Sequence, residues 1–129
     1  MRLSLLKENY AIVKLQAGEA IPSWASEFDG GLLSITYTSD ELSIVCNEDK
    51  VPIGMKNIEK TWNCLKIEGV LDFSLTGILQ LLLRPLAEHK ISIFAISTFN
   101  TDYLLIKSEN IEKAIEVLIN EGHEINKPY

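Results

Sequence analysis

The sequence predicts an α+β fold made of two similar units, and three observations carry that expectation. Segments that alternate apolar and polar residues occur in both halves of the 129-residue chain, as half-buried strands do. Two segments of the second half instead repeat apolar residues at helical spacing. The order of elements also matches between the halves: β-β-α-β-β with a stunted helix first, then β-α-β-β-α. Each half reads as an incomplete βαββαβ unit of the ferredoxin-like kind. Two antiparallel sheets with helices on one face would bury both apolar patterns.

The first unit is expected over residues 1–60. Arg2–Leu6 and Tyr10–Leu15 read as strands, split by Lys7-Glu8-Asn9. Pro22 opens a short helical turn over Ser23–Glu27, since proline is tolerated where helical N–H groups lack partners. Asp29-Gly30-Gly31 is a turn. Leu32–Thr38 and Glu41–Cys46 form a hairpin about Ser39-Asp40. Asn47–Ile53 reads as a polar loop, in which Glu48 and Asp49 are solvated acids, and Gly54–Lys60 as a linker.

The second unit is expected over residues 61–129. Thr61–Glu68 is a strand. Leu75–His89 is a helix whose inner face carries Leu75, Ile78, Leu79, Leu82, Leu83 and Leu86. Pro85 should kink it or shorten its last turn. The β-branched run Ile91–Phe99 reads as a central strand, and Asp102–Lys107 returns after a turn at Asn100-Thr101. Asn110–Glu121 is an amphipathic helix with Ile111, Ala114, Ile115, Leu118 and Ile119 inward, closed by Gly122. This unit lacks a last strand, which Arg2–Leu6 could supply.

Several chemistries find no support. The net charge is -6, and the acid excess is the same in Met1–Cys64 as in Leu65–Tyr129. With no basic stripe, neither nucleic acid nor an anionic membrane is an expected partner. The start, MRLSLLKENY, is too short in apolar run for a signal peptide, and Leu75–Leu83 is too short and polar to span a bilayer, so a cytoplasmic location is expected. Cys46 and Cys64 read as buried, reduced thiols. His89 and His123 read as helix-end residues, so no nucleophile has its base. No ligand spacing suggests a metal, no phosphate-binding loop suggests a nucleotide, and no cofactor is expected. An enzyme is the weaker class, resting only on an approach of Glu68, Asp72 and Asp102.

The segment EGVLDFSLTGIL, residues 68–79, concentrates small polar groups on a strand-to-helix turn. A helix N-terminus offers unpaired N–H groups and partial positive charge. With Ser74 as N-cap, Leu75, Thr76 and Gly77 would open the helix, and Gly77 would leave clearance for a carboxylate. The plainer alternative is that Ser74 caps, Asp72 turns the chain and Gly77 allows close packing. Trp62 reads as a core or edge-strand aromatic, Trp24 as a cover for the short turn, and Phe99 as packing.

GVLDFSLTGIL, ISIFAISTFNTDYLLIK and DELSIVC together resemble the small bacterial tandem ACT-domain proteins and the ACT pairs of CASTOR-type cytosolic arginine sensors. The resemblance implies a regulatory module that binds a free amino acid at the interface of its two units. It implies that Asp72, Phe73, Ser74, Leu75, Thr76 and Gly77 hold the ligand's backbone groups, that Asp102 faces a cationic side chain, and that Ser43, Ile44 and Val45 form the opposite wall. The alternative is a ligand-independent interaction module that forms a homodimer, because edge strands of such sheets pair readily.

Overall fold

The structure is a computed structural model and describes residues 1–69 and 77–128. It contains two compact units, one of Met1–Lys7 with Asn63–Tyr129 and one of Glu8–Trp62. They are called here the terminal unit and the inserted unit. Among the described residues there are eight strands and two α-helices, an α+β composition.

In the inserted unit, β2 (Tyr10–Leu15), β3 (Ser34–Tyr37) and β4 (Leu42–Asn47) form an antiparallel sheet in the order β3-β4-β2. The first part of β5 (Ile58–Ile67) pairs antiparallel with β2. Alternation sends Ala11, Val13, Leu42, Ile44 and Cys46 into one core, with Trp24 packed against it. The expected helix shrinks to a single 3-10 turn, Ser23–Ala25.

Most of the stretch expected as a linker stays irregular, but Ile58–Lys60 belongs to β5. That strand carries a bulge, because the register moves from Tyr10↔Trp62 to Ile12↔Glu59 and leaves one extra residue on β5. Thr61 takes a left-handed φ of 67 there. Its N–H donates to the Glu48 carboxylate at 2.9 Å. Glu48 is therefore a half-buried partner of the bulge rather than the solvated acid expected.

Tyr10 is fully buried, and its hydroxyl accepts the Leu32 N–H at 3.0 Å. That bond ties β2 to the Asp29-Gly30-Gly31 turn. Gly31 has a φ of 72, and a methyl group there would run into the Tyr10 hydroxyl. Gly31→Ala should cost about 2 kcal/mol or more, from left-handed strain plus overpacking. Gly18→Ala, with a φ of 81 and open space among the described residues, should cost only the strain, about 1 kcal/mol. Urea titration of both variants tests this, and equal losses would show that the Tyr10 contact contributes nothing.

In the terminal unit, β1 (Arg2–Leu5) lies between the second part of β5 and β8 (Glu124–Asn126), antiparallel to the first and parallel to the second. On the other flank β7 (Asp102–Lys107) pairs with β5 and with β6 (Ile93–Ser97). Arg2–Leu5 thus does pair with the second-half sheet, and the supposedly missing last strand also exists. With three residues, β8 is too short to show alternation. Among the described residues strand β6 pairs with β7 alone and is an edge, not the central strand expected. Its β-branched run reports strand propensity, which does not distinguish edge from centre.

The helices α1 (Ile78–Glu88) and α2 (Ser108–Asn120) cover one face of this sheet. Leu3, Leu65, Ile67, Leu82, Leu104 and Leu118 are fully buried in the resulting core. In α2 the inward stripe includes Val117, while Ile119, expected inward, is 50 % exposed. Both helices end in a Schellman motif. His123 N–H bonds Leu118 O at 3.1 Å and Gly122 N–H bonds Ile119 O at 2.9 Å. The equivalent bonds after α1 run from Ile91 to Leu86 and from Lys90 to Ala87, both at 2.9 Å. Among the described residues no helix is long and apolar enough to cross a membrane.

Pro85 has no N–H, so the Leu81 carbonyl loses its helical donor. The His123 imidazole hydrogen-bonds that carbonyl, and its Nδ1 contacts the Met1 ammonium at 2.9 Å. Burial, and then the Met1 ammonium, hold the His123 pKa below its ordinary value of 6.5. The unfolded chain therefore binds more protons between the two values. The neutral ring's contribution is fully present above 6.5 and is lost as pH falls through the folded value. Thermal unfolding across that range should show a fall in melting temperature that His123→Gln lacks. A parallel fall in the variant would assign the dependence to other groups.

Candidate functional site

Residues from several elements meet where β5 leaves for α1 and β6 turns into β7. Glu68 N–H bonds Arg2 O at 2.9 Å, extending the β1–β5 ladder to this end. The buried Thr101 donates its hydroxyl to Ile67 O at 2.7 Å, joining the β6–β7 turn to β5. Thr98 closes the turn with N–H to Thr101 O at 2.8 Å.

Strand alternation sorts the polar side chains here into two faces. Asp102 shares a face with the core residues Leu104 and Ile106, on the helix side. It pairs in register with Ser97, whose hydroxyl donates to its carboxylate. Lys66 and Glu68 alternate with the core residues Leu65 and Ile67, so they leave β5 on the other face. The Lys66 ammonium lies 3.5 Å from the Glu68 carboxylate, and both side chains are partly exposed. Glu68 and Asp102 therefore leave the sheet on opposite faces, against the approach of acids entertained from sequence. Beside the Lys66–Glu68 pair is a cleft of about 220 Å³ lined also by Gly69, Thr98, Asn100, Thr101 and Tyr103.

Asp72, Phe73, Ser74, Leu75 and Thr76 lie outside the described residues. Gly77 does not occupy the first helical turn, as expected, but is itself the N-cap of α1, with a φ of 75. A left-handed residue cannot continue a right-handed helix, so α1 starts at Ile78, three residues later than expected. The first helical bond runs from Leu81 N–H to Gly77 O at 3.2 Å. Asp102 and Gly77 belong to the terminal unit, and Ser43, Ile44 and Val45 to β4 of the inserted unit. Ile44 is wholly within that unit's core, Val45 is buried and Ser43 is half-buried.

Lys66 and Tyr103 are not among the residues expected from sequence. The signal available was the alternation of CLKIEG, which puts Lys66 and Glu68 on one face two residues apart. Phe99, expected to pack, is 78 % exposed. Cys46 and Cys64 are buried and reduced. Burial pushes the Cys46 thiol up to about 11, so it is protonated near neutrality and a poor nucleophile. No group of three or more metal-ligating side chains gathers among the described residues.

A split ferredoxin-like sheet with two helices on one face fits the fold of the ACT class of domain. The chain belongs to the ACT-domain family: the model for the ACT domain matches residues 57–120, and a model of an N-terminal domain matches residues 8–54. Protein Atu0741 from Agobacterium tumefaciens is 41 % identical, with a TM-score of 0.90 over 99 % of this chain and 93 % of that one. The human cytosolic arginine sensor for mTORC1 subunit 1 is 26 % identical over 102 residues. That alignment takes in 68 % of this chain, which spans only 30 % of the sensor's length. The fold is shared with the regulatory subunit of aspartate kinase from Thermus flavus, at a TM-score of 0.63 and 11 % identity over 93 % of this chain and 96 % of that one.

Gly77→Ala should lower stability by about 1 kcal/mol, because alanine resists a left-handed φ. Among the described residues nothing lies within 4 Å of the added carbon. Gly77→Asn should cost less, since asparagine tolerates that region. Chemical denaturation of the two variants checks the order, and an equal loss would point to crowding instead.

Proposed function

We propose that this protein is a cytoplasmic regulatory module of two ACT-like units that binds a free amino acid. The observation that supports this most is the match of residues 57–120 to the ACT domain, combined with the likeness to a protein named as a cytosolic arginine sensor. Binding would act by differential affinity for two states of the module. In this reading Asp72–Gly77 receive the ligand's backbone groups and Asp102 reads its side chain. That the two units share one ligand rests on the resemblance alone. A carboxylate at Asp102 would favour a basic side chain through a charge-assisted hydrogen bond.

A second reading has its own support. Strand β6 pairs with β7 alone among the described residues, and its sequence IFAIS carries no charge or proline. Natural edge strands are usually protected by such residues. An unprotected edge suits association of two copies into a homodimer.

A thermal-shift screen against the twenty amino acids separates the readings. A ligand at about 100 times its Kd should add about 2.7 kcal/mol of stability. One clear hit, weakened in Asp102→Ala, is the expected result. Flat curves at millimolar concentrations, with a dimer by sedimentation that Ile96→Lys dissociates, would favour the second reading.

A further inference from the structure

The Asp29-Gly30-Gly31 turn of the inserted unit carries a chemistry of its own. No other aspartate or asparagine in the chain precedes a glycine. We propose that Asp29-Gly30 is a modification site, at which the chain rearranges spontaneously to an isoaspartyl linkage that loosens the inserted unit. The Gly30 nitrogen attacks Asp29 Cγ. An N–Cγ bond forms, a Cγ–O bond breaks, and the acid's hydroxyl leaves with the nitrogen's proton as water. A water molecule then opens the cyclic imide. Opening at Cγ restores aspartate. Opening at the Asp29 main-chain carbonyl routes the backbone through the side chain and frees the α-carboxylate. The sum is an isomerisation that needs no oxidant, reductant or cofactor.

The fold leaves the reacting atoms free. Residues 27–31 lie outside every helix and strand and are exposed. The Asp29 side chain is 66 % exposed. Among the described residues the Gly30 N–H donates to no acceptor. Gly30 has a φ of 113, and among the described residues nothing lies within 4 Å of where its side chain would start, so ring closure meets no wall. One contact opposes the reaction: the Lys50 ammonium holds the Asp29 carboxylate at 3.0 Å. Releasing an exposed ion pair costs at most about 1 kcal/mol, so Lys50 slows the step about fivefold at most. The product cannot keep these contacts. Its backbone is one atom longer between two ties, Lys50 Nζ on Glu27 O at 2.8 Å and the Leu32 N–H on the Tyr10 hydroxyl at 3.0 Å. Gly31 already lies against that hydroxyl, so the extra atom has no room inward. The new carboxylate is also one carbon closer to the main chain, away from Lys50.

The test incubates the full chain for weeks at neutral pH in heavy-oxygen water, folded and in guanidinium. Isoaspartate is read with an isoaspartyl carboxyl methyltransferase and by peptide mass spectrometry. The expected result is isoaspartate carrying heavy oxygen in the peptide that holds Asp29, with the folded chain trailing the unfolded one by no more than about fivefold. Lys50→Met should close that gap. Asp29→Glu keeps a carboxylate for Lys50 but would close a larger, slower ring, and it should stop the labelling. Isolated isoaspartyl protein should unfold at a lower guanidinium concentration than fresh protein. Isoaspartate absent from the folded chain, or slowed beyond about fivefold, would overturn the proposal, because the fold would then protect the turn. A gap that persists in Lys50→Met would overturn the role given to Lys50. An unchanged guanidinium midpoint would overturn the loosening of the inserted unit.

Discussion

The terminal unit depends on one pairing: β1 between β5 and β8. Leu3 lies opposite Ile67 on one side and Ile125 on the other, and its side chain is fully buried in the core. The hydrogen bonds from Leu6 N–H to Cys64 O and from Glu68 N–H to Arg2 O, both 2.9 Å, mark the two ends of the antiparallel contact. Without β1, the three-residue β8 would have no neighbour in this sheet, and the polar end near Glu68 would lose its frame. The pairing joins residues near opposite ends of the chain. Closing so long a loop costs entropy before the contact returns anything, so this element contributes to stability more than to early folding.

The same sheet separates two kinds of chemistry at one end. On the helix face, which carries the core residues Leu104 and Ile106, Asp102 is held by Ser97. On the other face, Lys66 and Glu68 lie beside a small cleft. The separation follows from the two-residue period of a strand, so no single side chain serves both faces. Thr101 anchors the β6–β7 turn to β5 through Ile67 O, coupling the two sides of the cleft by a bond of 2.7 Å.

Helix ends show how local chemistry is completed from a distance. Pro85 removes a donor inside α1, and the free Leu81 carbonyl is met by His123, forty-two positions along the chain. Both histidines are expected from sequence at helix ends. His89 keeps to that role, with its Nδ1 2.9 Å from Pro85 O. His123 goes beyond it, because a ring placed after one helix can reach a defect in another.

Local patterns identified most elements. Tyr10–Leu15 and Asp102–Lys107 have the bounds expected from alternation, and the inward stripes of α1 and α2 follow helical spacing. Gly122 closes α2 as a glycine with positive φ should. The tertiary structure alone decided that β6 is an edge, that β8 exists, that α1 begins after Gly77, and that Glu48 supports the bulge at Thr61. It also brought Lys66 and Glu68 to a cleft whose other wall comes from residues thirty positions later. By itself the sequence determined the α+β class, the helical and strand periods and the family resemblance, because these rest on the spacing of neighbours. Sheet order, edge status and the makeup of the cleft depend on which distant backbone groups pair, and no local pattern encodes that choice.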